Sequence, residues 1–306
     1  MKRGKEGIMV FKGVIPAVST WFKEDGSLDF ETQFAHTDFL IDAGVHGLFF
    51  QGSGGEFPYL TLSERKQHAS EVIKHVNGRV PVLLGVGSNS TNEAVELARH
   101  AEKSGADGIV AVTPFYWKLS DDSLLEFYTA VGKACSLPMV VYNFPALTGQ
   151  RLNSRLLLRM AESIPTLSGI KDTIDSYSHI LDIVLRVKSA YPDFSVLAGI
   201  DVYLLGTLIA GGDGGIGSTS NFMPKVEIEL YQAFLDKDFD RIIDSQRKIE
   251  LLSRVGAVSM PPVAAFKEAA LVAMGRSGSG YVRPPLPRVS PEGIEQIKKI
   301  LKAVKE

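Results

Sequence analysis

The octapeptide Thr166-Leu167-Ser168-Gly169-Ile170-Lys171-Asp172-Thr173 is a short apolar segment that runs into one lysine and stops in polar residues. Short apolar runs ended by turn signals read as buried strands. Ser154 to Ser163 before it and Ser178 to Ala190 after it carry helical periodicity, so the octapeptide is the strand of a helix–strand–helix unit. The same rhythm continues outward in both directions. Upstream strands are expected at Gly13 to Ser19, Val45 to Gln51, Val80 to Val86, Gly108 to Val112 and Leu137 to Tyr142; downstream ones at Phe194 to Leu197 and Gly214 to Ser218. Between them Leu28 to Ala43, Thr61 to Val76, Asn92 to Lys103, Asp121 to Cys135 and Val202 to Ala210 read as helices. Thr61-Leu62-Ser63-Glu64 is a capping box, and Gly44 is a C-terminal stop.

Strand–helix alternation of this kind implies βαβ units and a parallel sheet. Eight units over about 230 residues match a closed (β/α)8 TIM barrel better than a doubly wound open sheet. After Phe222-Met223-Pro224 the pattern becomes helical: Val226 to Leu235, Asp238 to Val255, Val263 to Met274 and Pro291 to Val304, with a Gly- and Pro-rich linker from Gly275 to Arg288. The expected division is a catalytic α/β barrel over 1–224 and a C-terminal helical extension over 225–306 packed on it. The helix face with Ile242, Ile249 and Leu252 is expected to meet the protein's own core, with another subunit as the alternative.

With 45% hydrophobic and 22% charged residues and a net charge of −2, the chain lacks the electrostatic footprint of a nucleic-acid or membrane-surface binder. An anionic ligand therefore needs a local site. The single cysteine, Cys135, excludes an intrachain disulfide and fits a reducing compartment. Met1 to Gly7 is basic but has no apolar stretch or cleavage site of a leader, and no apolar run reaches membrane-spanning length. A cytoplasmic protein is expected.

Barrel enzymes build their sites at the C-terminal ends of the strands. Three unusual segments fall there: Gly52-Ser53-Gly54-Gly55-Glu56, Tyr142-Asn143-Phe144-Pro145 and Lys171. Desolvation at a strand end disfavours the charged form of an amine, and a neutral amine can form a Schiff base with a carbonyl. Read from Ser168 to Thr173 alone, Lys171 is better described as an ordinary solvated lysine at a strand end; the other two segments move the balance. The glycine-rich turn offers unobstructed backbone N–H groups and the Ser53 hydroxyl, a concavity suited to a carboxylate or phosphate. It lacks the G-x-G-x-x-G spacing of a dinucleotide site. Glu56 reads as a structural hydrogen-bonding residue. A phenol such as Tyr142 beside a Schiff-base lysine can move the protons of carbinolamine chemistry. The six histidines show no metal-ligand spacing, and most read as helix-surface residues. No metal or organic cofactor is expected. Phe115-Tyr116-Trp117 forms an aromatic cluster that suits a pocket wall, a subunit contact or plain packing.

These residues are similar to the motifs of the dihydrodipicolinate synthase/N-acetylneuraminate lyase family of class I aldolases, over nearly the whole chain. Gly52 to Glu56 resembles its G-[ST]-[TG]-G-E motif, Tyr142 to Pro145 its Y-N-x-P motif, and Gly169-Ile170-Lys171-Asp172 its G-[IVL]-K-[DE] motif. Gly-Ser-Gly-Gly-Glu-Phe from Gly52, Tyr-Asn-Phe-Pro-Ala-Leu-Thr-Gly-Gln from Tyr142 and Gly-Ile-Lys-Asp-Thr-Ile-Asp-Ser from Gly169 look most like the 2-keto-3-deoxygluconate-type branch. The resemblance implies that Lys171 forms the Schiff base with a 2-keto acid such as pyruvate. It makes Tyr142 the proton shuttle, gives the carboxylate to Ser53 and Gly54, and lines the pyruvate pocket with Ile216. Tyr116 would reach across a dimer interface, and the assembly would be a homotetramer built as a dimer of dimers. Synthases carry an arginine where this chain has Leu147, and a leucine supplies no bidentate guanidinium. Neuraminate lyases share that leucine. Phe115 replaces a tyrosine of many relatives. The expected reaction is cleavage or formation of a 2-keto-3-deoxy sugar acid from pyruvate and an aldehyde. The alternatives are condensation of pyruvate with aspartate semialdehyde, neuraminate-lyase-like activity, and a non-catalytic 2-keto-acid sensor.

Overall fold

The structure, a computed structural model, describes residues 10–305; the basic start Met1 to Gly7 lies outside them. Among the described residues eight strands form: β1 (Gly13–Val14), β2 (Leu48–Phe50), β3 (Val82–Gly85), β4 (Gly108–Val112), β5 (Met139–Asn143), β6 (Leu167–Asp172), β7 (Ser195–Ala198) and β8 (Gly214–Gly215). They belong to one sheet in the order β1-β8-β7-β6-β5-β4-β3-β2. Each ladder from β3 through β8 is parallel. This is the strand order of the expected (β/α)8 barrel. Helices α1 (Phe30–Asp42), α2 (Leu62–Val76), α3 (Thr91–Ser104) and α4 (Asp121–Gly132) follow the first four strands. A one-turn helix α5 (Pro145–Thr148) precedes α6 (Ser154–Ser163); α7 (Tyr177–Ile183) and α8 (Leu204–Ala210) follow β6 and β7. The tail holds α9 (Pro224–Asp236), α10 (Phe239–Ser253), α11 (Val263–Met274) and α12 (Pro291–Lys305).

The residues group into two compact units, one of the chain up to Gly13 with Pro81–Ile216, the other of Val14–Val80 with Gly217–Glu306. In the first, the strands are near-continuous buried apolar runs, as parallel strands covered on both faces must be. Gly169 has a packing reason: a Cβ there would lie 2.6 Å from the Ser195 carbonyl oxygen, so any side chain would push β6 off β7. The helix expected over Ser178 to Ala190 begins as α7 and continues as a wider π turn, Val184–Lys188. From that turn Lys188 Nζ donates to both Asp213 oxygens (2.8 and 2.7 Å).

In the second unit the strand expected over Gly13 to Ser19 is cut short. Pro16 has no N–H to give the ladder. Pairing resumes through its carbonyl, which accepts from Phe49 N (2.9 Å), and through Val18 N, which donates to Phe49 O (2.8 Å). The capping box at Thr61 forms, with Thr61 and Glu64 bonded reciprocally. Trp21, Phe222, Leu252, Val255, Ala265, Ala269, Ile297 and Leu301 share one apolar core. Ile242, Ile249 and Leu252 are buried within the chain itself, which places the α10 face against its own core.

Candidate active site

Lys171 and Tyr142 are direct partners in the β5–β6 register, and both side chains are buried. Lys171 Nζ lies 4.3 Å from the centroid of the Tyr142 ring. A lysine amine, a phenol and a low-dielectric wall thus meet at the C-terminal end of two adjacent strands. That is the combination a carbonyl-attacking amine with an attendant proton carrier requires.

Successive residues of a strand face opposite ways, so Asn143 and Asp172 point away from that pair and meet each other. Asn143 Nδ2 donates to Asp172 Oδ1 (2.6 Å), and the other Asp172 oxygen bonds His179 Nδ1 (2.7 Å). His179 Nε2 bonds the Leu152 carbonyl (2.8 Å), and Leu152 N donates back to Asn143 Oδ1 (2.9 Å). Both ring nitrogens of His179 face acceptors. The result is a closed, buried polar ring behind the lysine and tyrosine, tying β5 to β6 at the residues that follow each.

This ring corrects the reading of the histidines. His36, His68 and His179 are buried, not surface residues. The buried stripe of a helix admits an imidazole when both nitrogens find partners. Trp21 Nε1 donates to His36 Nδ1 (3.0 Å), while His36 Nε2 faces the Asn221 carbonyl (2.8 Å). Trp Nε1 is a donor only, so His36 is a neutral ring with its proton on Nε2. Burial holds its pKa down at about 4, and that of His68 likewise at about 4. The clue to His179 was its place on the turn of helix after β6, seven residues beyond Asp172.

Of the other expected residues in the first unit, Ile216 is fully buried beside β8, its N–H bonded to the Ala198 carbonyl (2.7 Å). Tyr116 stands at 87% exposure and Trp117 at 75%, their rings edge to face at 5.5 Å. Plain packing within the chain is thereby ruled out for both. Tyr116 has φ 84°, a left-handed conformation uncommon for a bulky residue. Its loop is pinned on either side by Phe115 N on Asn89 Oδ1 (2.8 Å) and Leu119 N on Gln150 Oε1 (2.7 Å). Leu147 sits exposed on α5.

In the second unit the turn after β2 carries Ser53 and Gly54, both half-buried. Gly55 N bonds Gly52 O (3.0 Å) and Glu56 N bonds Ser53 O (3.1 Å). A Cβ on Gly55 would meet Gln51 N and the Val18 carbonyl at 3.1 Å, so this glycine allows close backbone approach. The flanking residues Gln51 (φ 60°) and Glu56 (φ 55°) are both left-handed. Gln51 is tied to α2, its Nε2 donating to Arg65 O (2.7 Å). Thr20 Oγ1 donates to Gly55 O (2.7 Å). Glu56 is structural, as expected: it pairs with buried Lys267 and accepts from Arg283 N (3.0 Å). Lys267 and Arg283 carried no local signal, since they reach the turn from the far end of the chain.

Among the described residues no three His, Cys, Asp or Glu side chains gather as a metal-ligand set, and no helix is long and apolar enough to cross a membrane.

Comparison with known proteins gives these sites a family context. "Putative 2-dehydro-3-deoxy-D-gluconate aldolase YagE" of Escherichia coli K12 is 43% identical over 296 residues, 97% of this chain and 98% of that protein. "Probable 2-dehydro-3-deoxy-D-pentonate aldolase YjhH" of the same organism is 41% identical over 293 residues, 96% of this chain and 97% of that protein. The crystal structure of YagE, described as a prophage protein of the dihydrodipicolinic acid synthase family in complex with pyruvate, superimposes with a TM-score of 0.95 at 42% identity. That match covers 97% of this chain and 99% of YagE. The dihydrodipicolinate synthetase family model matches residues 10–304, and the chain belongs to that family.

Proposed function

We propose that this protein is a class I aldolase, a carbon–carbon lyase that cleaves a 2-keto-3-deoxy sugar acid to pyruvate and an aldehyde, or runs the reverse. The observation that carries the reading is the buried Lys171 amine against the Tyr142 ring at two paired strand ends. The sugar-acid names of YagE and YjhH, and the pyruvate in the YagE crystal, support the substrate class.

In this reading the Ser53 hydroxyl and the Gly54 N–H seat the substrate carboxylate. The Lys171 amine adds to the C2 carbonyl, and the Tyr142 phenol gives its proton to the departing hydroxyl, so that loss of water leaves a protonated iminium and a phenolate. The Tyr142 phenolate takes the proton of the C4 hydroxyl as the C3–C4 bond breaks, and the electrons move into the iminium to give an enamine. The aldehyde leaves, C3 takes a proton, and water releases pyruvate and the free amine. The chemistry uses the covalent link at Lys171 and calls on no metal or organic cofactor. Ile216 lines the pyruvate side. Tyr116, held outward in a strained conformation, serves a neighbouring subunit's site in a homotetramer built as a dimer of dimers. The barrel, 1–224, carries the chemistry with 225–306 as its extension, and the enzyme works in the cytoplasm without nucleic-acid or membrane partners.

Leu147 leaves the position of the synthases' arginine without a guanidinium. The test is direct. Incubation with 2-keto-3-deoxygluconate should release pyruvate, measured by a coupled dehydrogenase. Pyruvate with aspartate semialdehyde should give no condensation above background. Condensation without release of pyruvate from the sugar acid would replace this reading with the synthase.

A further inference from the structure

Glu56 closes the Gly52–Gly55 turn but has no step in the enamine chemistry. Its carboxylate meets the Lys267 ammonium of α11, and its other oxygen accepts the backbone N–H of Arg283 (3.0 Å). Lys267 is fully buried; Nζ also donates to the Tyr281 carbonyl (2.8 Å) and lies 4.5 Å from the Phe22 ring centroid. Arg283 is itself clamped, bonding both Glu64 oxygens of α2 and the carbonyls of Tyr59 (2.8 Å) and Gly26 (2.7 Å). Burying an ion pair costs more than the pair returns unless the remaining hydrogen bonds are made, and apolar residues of similar volume often hold a core at least as well. Cohesion alone therefore does not account for a charged pair here. Direction does. Glu56 sits in the left-handed region, a conformation that persists only where the surroundings over-determine it. The carbonyl of the preceding Gly55 is held by Thr20. Both ends of the turn are fixed, and with them the Ser53–Gly54 segment between.

We propose that Glu56 and Lys267 are positioning residues: through their ion pair the C-terminal helices set the angle at which the Ser53–Gly54 turn offers its donors to the keto acid's carboxylate. The pair then governs affinity for the keto acid and leaves bond making at Lys171 alone. The inference rests on Ser53 and Gly54 being the carboxylate seat. It also has a pH signature. Burial brings Lys267 down from 10.5 to about 8, with Glu56 opposing that shift and the charge of Arg283 adding to it. The charged groups around it are Glu56 from the turn, Arg283 from the linker and, beyond Arg283, Glu64 of α2. Above about pH 8 the pair loses its cation and the turn its fixed aim.

The experiment measures the pyruvate concentration that half-saturates borohydride trapping, at pH 7 and pH 9. It compares wild type with the Glu56→Gln/Lys267→Met double variant and with Ser53→Ala. The double variant should need about tenfold more pyruvate at pH 7, the scale of one charge-assisted hydrogen bond, yet reach the wild-type adduct yield at saturation. The wild-type value should rise more between pH 7 and 9 than the variant's. Should the double variant not fold by circular dichroism, Glu56→Gln alone carries the test, because a neutral Lys267 amine can accept from the introduced amide. Unchanged half-saturation in a folded variant, with Ser53→Ala weakened, overturns the proposal and leaves the carboxylate seat standing. No effect of Ser53→Ala overturns both.

Discussion

At the scale of single residues, the proposed reaction gives Tyr142 the proton transfers that Lys171 cannot perform on itself. Tyr142→Phe keeps the ring on which Lys171 Nζ rests and removes only the hydroxyl. Steady-state turnover of the sugar acid should fall roughly 10²–10⁴-fold, the range of general acid–base catalysis, with KM little changed. A rate within twofold of wild type would take Tyr142 out of the mechanism. The segments that hold Lys171, Tyr142, Ser53 and Gly54 stand out in sequence because each is a short motif at a strand end. The pairings of Asp172, His179, Lys267 and Arg283 do not. Their meaning lies in partners brought together by the fold, as with Arg283, 227 residues from the Glu56 oxygen it bonds. Composition gives no trace of such pairing.

At the scale of elements, the polar ring behind β5 and β6 decides how firmly the Lys171 and Tyr142 side chains are held in register. His179→Ala leaves the buried Asp172 carboxylate without its imidazole. Leaving a buried hydrogen-bonding group without its partner costs about 1–3 kcal/mol. Urea unfolding should show a loss of that size, and kcat should fall although His179 touches no reacting atom. A stability loss under about 1 kcal/mol with unchanged kcat would mean that the strand ladder alone fixes the register. Element positions were readable wherever the apolar period was strong and the caps were local. β4, α6 and α11 coincide with their expected spans, and Thr61 caps α2 as its motif required. The first strand was overextended because Pro16 interrupts the ladder without interrupting the apolar pattern. The helix after β6 was read as uniform because nothing in its periodicity marks the π turn.

For the whole molecule, two buried neutral imidazoles make stability depend on acid. His36 and His68 fall from 6.5 to about 4 on burial. Between those values the unfolded chain binds more protons than the folded one. Stability is therefore full above pH 6.5 and is lost as pH falls toward 4, by about 2–3 kcal/mol per histidine at pH 4.5. Carboxylates titrate in the same range, so the difference between variants isolates the effect. The drop in unfolding free energy from pH 7 to pH 4.5 should be about 2–3 kcal/mol smaller in His68→Gln than in wild type. Equal drops would place the acid sensitivity elsewhere. Covalent chemistry at Lys171 is read by intact mass with peptide mapping after incubation with pyruvate and borohydride. One reduced pyruvate adduct per chain is expected, on the peptide containing Lys171, and none in a folded Lys171→Ala variant. A folded wild-type protein that gains no adduct, or gains it on another lysine, would contradict it.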